Sequence, residues 1–140
     1  MTDTRRMAIT FSVDGDPVPQ PRPRVTVRGK HGHAYTPGDH RIHAYRQAVA
    51  LSAKAAGCQP HGEPAEVVID AVFARPKSHL NKSGVKPDAP QLPRADLDNL
   101  AKGILDSLNG VAWADDTQVR RLVVEKSYGT EGRTTVRVSC

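Results

Sequence analysis

Five of the chain's fifteen acidic residues lie between Asp96 and Asp116, in the stretch RADLDNLAKGILDSLNGVAWADDTQV, and Lys102 is the only base among them. The chain as a whole is basic, with a net charge of +5 and a sequence pI near 9.5. A negative block inside such a chain is either a solvated surface or a holder of something positive. Two carboxylates about 4 Å apart, at an effective dielectric near 20, repel by about 4 kcal/mol. If these side chains converge, they therefore need a cation, or one of them must take up a proton. Oxygen-only ligands favour Mg²⁺ or Mn²⁺, which also bind phosphate oxygens. Such an ion brings a phosphodiester to carboxylates that would otherwise repel it, and Lys102 adds a fixed positive charge beside it.

The spacing of the block places these groups. Leu97, Leu100, Ala101, Ile104, Leu105 and Leu108 form one face of an amphipathic helix. Asp98, Lys102 and Asp106 stand four residues apart on the opposite face. Asp96 or Asp98 can cap the start, and Asn109-Gly110 can end the helix. A short loop past Trp113 can swing Asp115-Asp116 back to its beginning. Ordinary i,i+4 ion pairs account for Asp98, Lys102 and Asp106 alone, but less well for Asp96 and the Asp115-Asp116 pair. An EF-hand does not fit, because counting from Asp96 puts Leu100, Ala101 and Ser107 at the fifth, sixth and twelfth positions.

The remaining sequence predicts the elements that hold this helix. Met7–Asp14 alternates apolar and polar residues as a strand does, and Ala65–Ala74 does so most clearly. Val67, Ile69, Ala71 and Phe73 share one face of that second strand. Four prolines in GDPVPQPRPR forbid a helix and predict an extended segment. Val25–Arg28 and Ala34–Tyr35 can pair as a hairpin. Residues 39–56 have helical spacing, with Asp39 as a plausible cap and Gly57 as the stop. Residues 75–93 read as a long loop, a feature often tied to function. Two strands close the chain, over residues 118–126 and 134–138. The expected fold is a single α+β domain over residues 1–140, with a small mixed sheet and two main helices packed against it.

Composition sets limits on partners. With 38% hydrophobic and 25% charged residues the chain reads as globular, and its apolar runs are too short to span a bilayer, so no membrane partner is expected. The start, MTDTRRMAITF, lacks a secretory signal pattern, and a cytoplasmic location is expected. Cys58 and Cys140 match no metal-finger spacing or disulfide framework. His31, His33, His40 and His43 lack the cysteines and spacing of a common zinc site. Residues 1–60 carry nine Lys/Arg against four Asp/Glu, and residues 61–140 carry eleven of each. The basic excess in the N-terminal part suits a polyanion such as nucleic acid. Tyr35 and Trp113 are candidates for stacking on bases, with core packing the expected place for Trp113.

The stretch DLDNLAKGILDSLNGVAWADDTQV resembles the RusA-type Holliday junction resolvases. In these an Asp-x-Asp-Asn-Leu-x-Lys helix is followed by Asp-Asp-x-Gln-Val. The fit includes Asp96, Asp98, Asn99, Lys102, Asp115, Asp116, Gln118 and Val119. PQPRPR and ARPKSHL extend the likeness over most of the chain. Arg94-Ala95 stands where many members have Lys-Pro, which bears on loop geometry and leaves the acidic set intact. The resemblance implies a homodimeric, Mg²⁺-dependent endonuclease that nicks four-way DNA junctions symmetrically, in recombination and repair, and it suggests a prophage setting. By that likeness Asp96, Asp98 and Asp116 bind metal, and Lys102 joins them as the catalytic lysine. Asp115 is a further candidate for the ion or for structure, and Asp106 for positioning or structure. The rivals are a nuclease for other branched DNA, such as flaps or forks, and a non-catalytic DNA-binding protein.

Arg22, Arg24, Arg28 and Lys30, with Lys77, Lys82 and Lys86 in the long loop, are the candidate phosphate contacts. Replacing all seven by neutral residues is expected to flatten the slope of log Kd against log salt for DNA, measured by fluorescence anisotropy.

Overall fold

The computed structural model describes residues 8–21, 24–28, 31–35 and 40–139, with 24–28 and 31–35 described through their backbone. Strand β1 is Ala8–Asp14, and β2 (Arg24–Arg28) pairs with β3 (His31–Tyr35) as an antiparallel hairpin. Helix α1 (Ile42–Ala55) and strand β4 (Ala65–Ala74) follow. Next come a two-residue ladder of β5 (Leu80–Asn81) and β6 (Gly84–Val85), then helix α2 (Leu97–Leu108). Strands β7 (Val119–Gly129) and β8 (Arg133–Ser139) complete the chain.

The main sheet has the order β1-β8-β4-β7. It is mixed: β8 runs antiparallel to both β1 and β4, whereas β4 and β7 are parallel, with Ala71 opposite Lys126 and Phe73 opposite Tyr128. Parallel neighbours need a crossover, and α2 supplies it. The alternation in β4 decides which face is covered. Val67, Ile69 and Ala71 are buried, while Val68 and Asp70 on the other face are exposed. Phe11 and Val13 of β1 and Val136 and Val138 of β8 continue the buried face. Both helices lie on it, α1 through Ile42, Tyr45, Val49 and Ala53, and α2 through Leu100, Ala101, Ile104 and Leu108. The fold is therefore α+β, as expected, with helices on one face of the sheet and no described element packed on the other.

Local chemistry explains the ends of α1. The Asp39 cap falls outside the described residues. The His40 Nδ1 instead accepts the Ile42 N–H at 3.0 Å, satisfying one of the free amides of the first turn. At the other end Gly57 takes φ +100°, and the Gly57 and Cys58 amides donate to the Lys54 and Ala53 carbonyls, a Schellman closure. The long loop holds more structure than its composition suggests. Asn81 Oδ1 accepts both the N–H and the hydroxyl of Ser83, and Gly84 has φ +123°, which turns the chain into the short β5–β6 ladder.

Trp113 is fully buried, and its Nε1–H donates to Asn109 Oδ1 at 2.8 Å. It fills the core where α2 turns back, the place expected for it, and is not available to stack on bases. Tyr45 hydrogen-bonds Thr134 at 2.6 Å beneath the sheet, and burial pushes its phenol up to about 12. A phenol whose pKa is raised on folding stabilises the fold fully below its ordinary value near 10 and loses that contribution as pH rises toward 12. Two units correspond to about 2–3 kcal/mol. Tyr45→Phe is expected to cost about 1 kcal/mol near pH 7 by stranding Thr134. It is also expected to lose less stability than the native chain between pH 10 and 12, as checked by urea denaturation at each pH.

Candidate active site at the ends of the crossover helix

Helix α2 begins with Asp96 in the N-cap position, its backbone extended at φ −73° and ψ 137°. Its carbonyl accepts the first helical bond, from Leu100, but its side chain makes no capping bond. The Asp96 carboxylate instead approaches the Asn99 amide, Nδ2 to Oδ2 at 3.5 Å. Asp98 Oδ1 accepts the Asn99 N–H at 3.0 Å. Both acids are exposed in the first turn, where the helix dipole favours negative charge. Asn99 thus lies between them and orients both. Lys102 stands one turn further on, exposed, with its ammonium 4.0 Å from Asp106. At that distance and exposure the ion pair adds little to stability, so Lys102 keeps its reach.

Two contacts hold this start in place. Lys126 of β7 donates to the Ala95 carbonyl at 2.8 Å, just before Asp96. On the other side, the Gln20 amide in the proline-rich segment donates to the Asn99 carbonyl at 2.9 Å. Residues 19–21, the described start of PQPRPR, therefore lie against the first turn of α2. A Cβ on Gly103 would come within 3.5 Å of Ile42 Cδ1 and 3.8 Å of Gln20, so helices and segment meet closely there.

Asp115-Asp116 opens a 3-10 turn, Asp116–Gln118, that contacts α2. Asp115 caps it, accepting the Thr117 hydroxyl at 2.7 Å and the Thr117 N–H at 3.4 Å. The Thr117 hydroxyl, followed by the backbone amides, holds the Asp115 carboxyl below the usual range. Gln118 ties the turn down: its Oε1 accepts from Ala114 and Asp115, and its Nε2 donates to the His61 and Glu63 carbonyls just before β4. The pair is thus anchored near the start of β7, where Val119 pairs with Ala65, whereas Ala95 sits by Lys126. Seven strand residues, about 23 Å, separate Val119 from Lys126. The loop brings the pair onto the helix through this 3-10 turn.

The donor set is all oxygen, the chemistry that Mg²⁺ and Mn²⁺ take. Among the described residues no three His, Cys, Asp or Glu side chains stand together as a ready-made metal cage. Mg²⁺ does not need one, since it keeps several waters and uses one or two carboxylates plus substrate phosphates. Asp96 and Asp98 fit that requirement.

The whole chain between residues 14 and 139 matches the family model of endodeoxyribonuclease RusA. This chain belongs to the RusA family. The uncharacterized protein YqaN of Bacillus subtilis (strain 168) is 33% identical over 140 residues, an alignment covering 93% of this chain and 94% of YqaN. RusA membership supports a Holliday-junction resolving endodeoxyribonuclease that binds branched DNA, and RusA-type resolvases generally depend on a divalent metal. No helix among the described residues is long and apolar enough to cross a membrane.

The basic candidates are partly placed. Lys77, Lys82 and Lys86 are exposed on the loop that leads to α2. Arg24 and Arg28 lie on β2 by their backbone, and Arg22 and Lys30 fall outside the described residues. Sequence reasoning missed a ring cluster beyond β4 and β7: the Arg75 guanidinium lies 4.3 Å over the Tyr128 ring, and His79 meets that ring edge-on at 5.5 Å. Phe73 opposite Tyr128 was the only signal, readable once β4 and β7 are aligned in parallel. It also missed the Gln118 clasp. Gln118→Ala is expected to destabilise the fold by about 1–3 kcal/mol, through the carbonyls and amides left unpaired. A shift in urea midpoint at unchanged slope would register it.

Proposed function

We propose that this chain is a Mg²⁺-dependent endonuclease, with Mn²⁺ able to substitute, that resolves four-way DNA junctions as a homodimer by paired symmetric nicks. The observation that supports it most is the first turn of α2 in a RusA-family chain: Asp96 and Asp98 are exposed and oriented through one asparagine, with Lys102 a turn away. Asp96 and Asp98 would hold the ion, with Asp116 assigned as a third carboxylate by family likeness. The ion, when bound, would lower the pKa of a water and stabilise the leaving oxygen. Lys102 balances the negative charge that builds on the phosphate as water attacks phosphorus and the P–O bond to the leaving oxygen breaks. Asn99 fixes the carboxylate rotamers, and the basic 75–93 loop and proline-rich arm hold the DNA backbone. Two equivalent sites in a two-fold dimer suit paired cuts on strands of like polarity.

A Mg²⁺ titration with a mobile four-way junction and a linear duplex of the same sequences tests this reading on a sequencing gel. The junction is expected to be cut selectively. Equal cutting of both substrates would overturn the junction assignment, and no Mg²⁺-dependent cutting would point to a non-catalytic binder. Asp98→Asn is expected to lose more than the roughly 10–100-fold that losing an outer metal partner costs, while still binding the junction. Asp116→Asn is expected to lose cutting as well; full activity there would leave Asp96 and Asp98 as the sole carboxylate ligands.

A further inference from the structure

A cleft of about 560 Å³ opens beyond the C-terminal ends of the parallel strands β4 and β7. That size lies in the ~300–1,000 Å³ range of small-ligand pockets. Its floor includes Phe73 and Tyr128, and the His79 ring stands at one side. Arg41, at the start of α1, and Arg94, just before α2, are exposed on its rim. The one carboxylate in its lining, Asp16, is engaged by the Ala74 N–H at 2.8 Å. The cleft is thus lined by three aromatic rings set among prolines, with cations at its mouth. Ala95 is also part of the wall, so the next residue along the chain is Asp96.

We propose that this cleft receives one nucleobase of the DNA, unstacked beside the phosphodiester to be cut, with Tyr128 stacking on the base and Arg94 holding a flanking phosphate. The inference rests on the function proposed above and deepens it. Ring faces recognise bases by stacking, because every base presents a π face, and guanidinium groups at the rim hold the flanking phosphates. Arg75 over Tyr128 and His79 against its edge keep the ring from turning away. Arg75 also donates to the Pro90 carbonyl at 2.9 Å, which fixes the far wall of the cleft. A base leaves its stack most readily where pairing is already broken, as at the branch of a junction. Occupation of the cleft would therefore couple recognition of an open branch to the position of the cut.

The test uses the full chain without metal, so that DNA is bound and not cut. The adenine analogue 2-aminopurine is placed in turn at each nucleotide around the branch of a four-way junction, and its fluorescence is read at saturating protein. One position is expected to change several-fold with the native chain. Tyr128→Leu is expected to abolish that change while junction binding by anisotropy is retained. Arg94→Ala, an exposed site, is expected to shift the change to higher protein concentration, which keeps the test decisive should Tyr128→Leu fail to fold. A native chain that binds the junction with every position silent, or variants that give the native response, would overturn the cleft assignment alone. A native chain that does not prefer the junction to a duplex would overturn the proposed function, and the cleft with it.

Discussion

The parallel pairing of β4 with β7 governs this molecule. A tight turn cannot join two parallel neighbours, so the chain between Ala74 and Val119 has to leave one end of the sheet and return at the other. Helix α2 makes that return over the buried face, and its amphipathic stripe of Leu100, Ala101, Ile104 and Leu108 fixes which side faces out. Asp98 and Lys102 are exposed because those residues are not. The crossover also creates two ends. The start of the helix is braced by Lys126 and Gln20, and the return by the Gln118 clasp on the His61 and Glu63 carbonyls.

The two ends differ in how their acids are used. Asp115 accepts a hydroxyl and an amide of Thr117, so its charge serves the turn. Asp96 occupies the cap position without bonding the helix amides, and Asp98 accepts the neighbouring Asn99 amide. A cap side chain that forgoes its helix bonds gives up stability of about 1 kcal/mol. That is the kind of local departure from good helix design that functional sites show.

Much of this was legible in the residue order. Strand β4 and helix α2 have the bounds that period-two and period-3.6 spacing indicate, because each buries one face against the same core and tertiary forces agree with local ones. The order of elements and the mixed sheet also followed from pattern. What stayed hidden was side-chain pairing and short turns that leave no periodic signal. The His40 contact to Ile42 looks like nothing in sequence, and the β5–β6 ladder is too short to carry a period. The burial of Trp113 was expected, but not the Asn109 side chain that accepts its N–H. The position of Asp115-Asp116 depended on where a seven-residue loop lands, which spacing along a helix cannot specify.

The 75–95 segment hangs from the ends of β4 and β7, and most of its residues are exposed, with Pro93 the one buried among them. Its length and composition are therefore nearly free of the demands of the hydrophobic interior. Across descendants of this fold it can drift, grow or shrink while the sheet beneath stays intact, and so new DNA shapes can be explored without risking collapse of the scaffold.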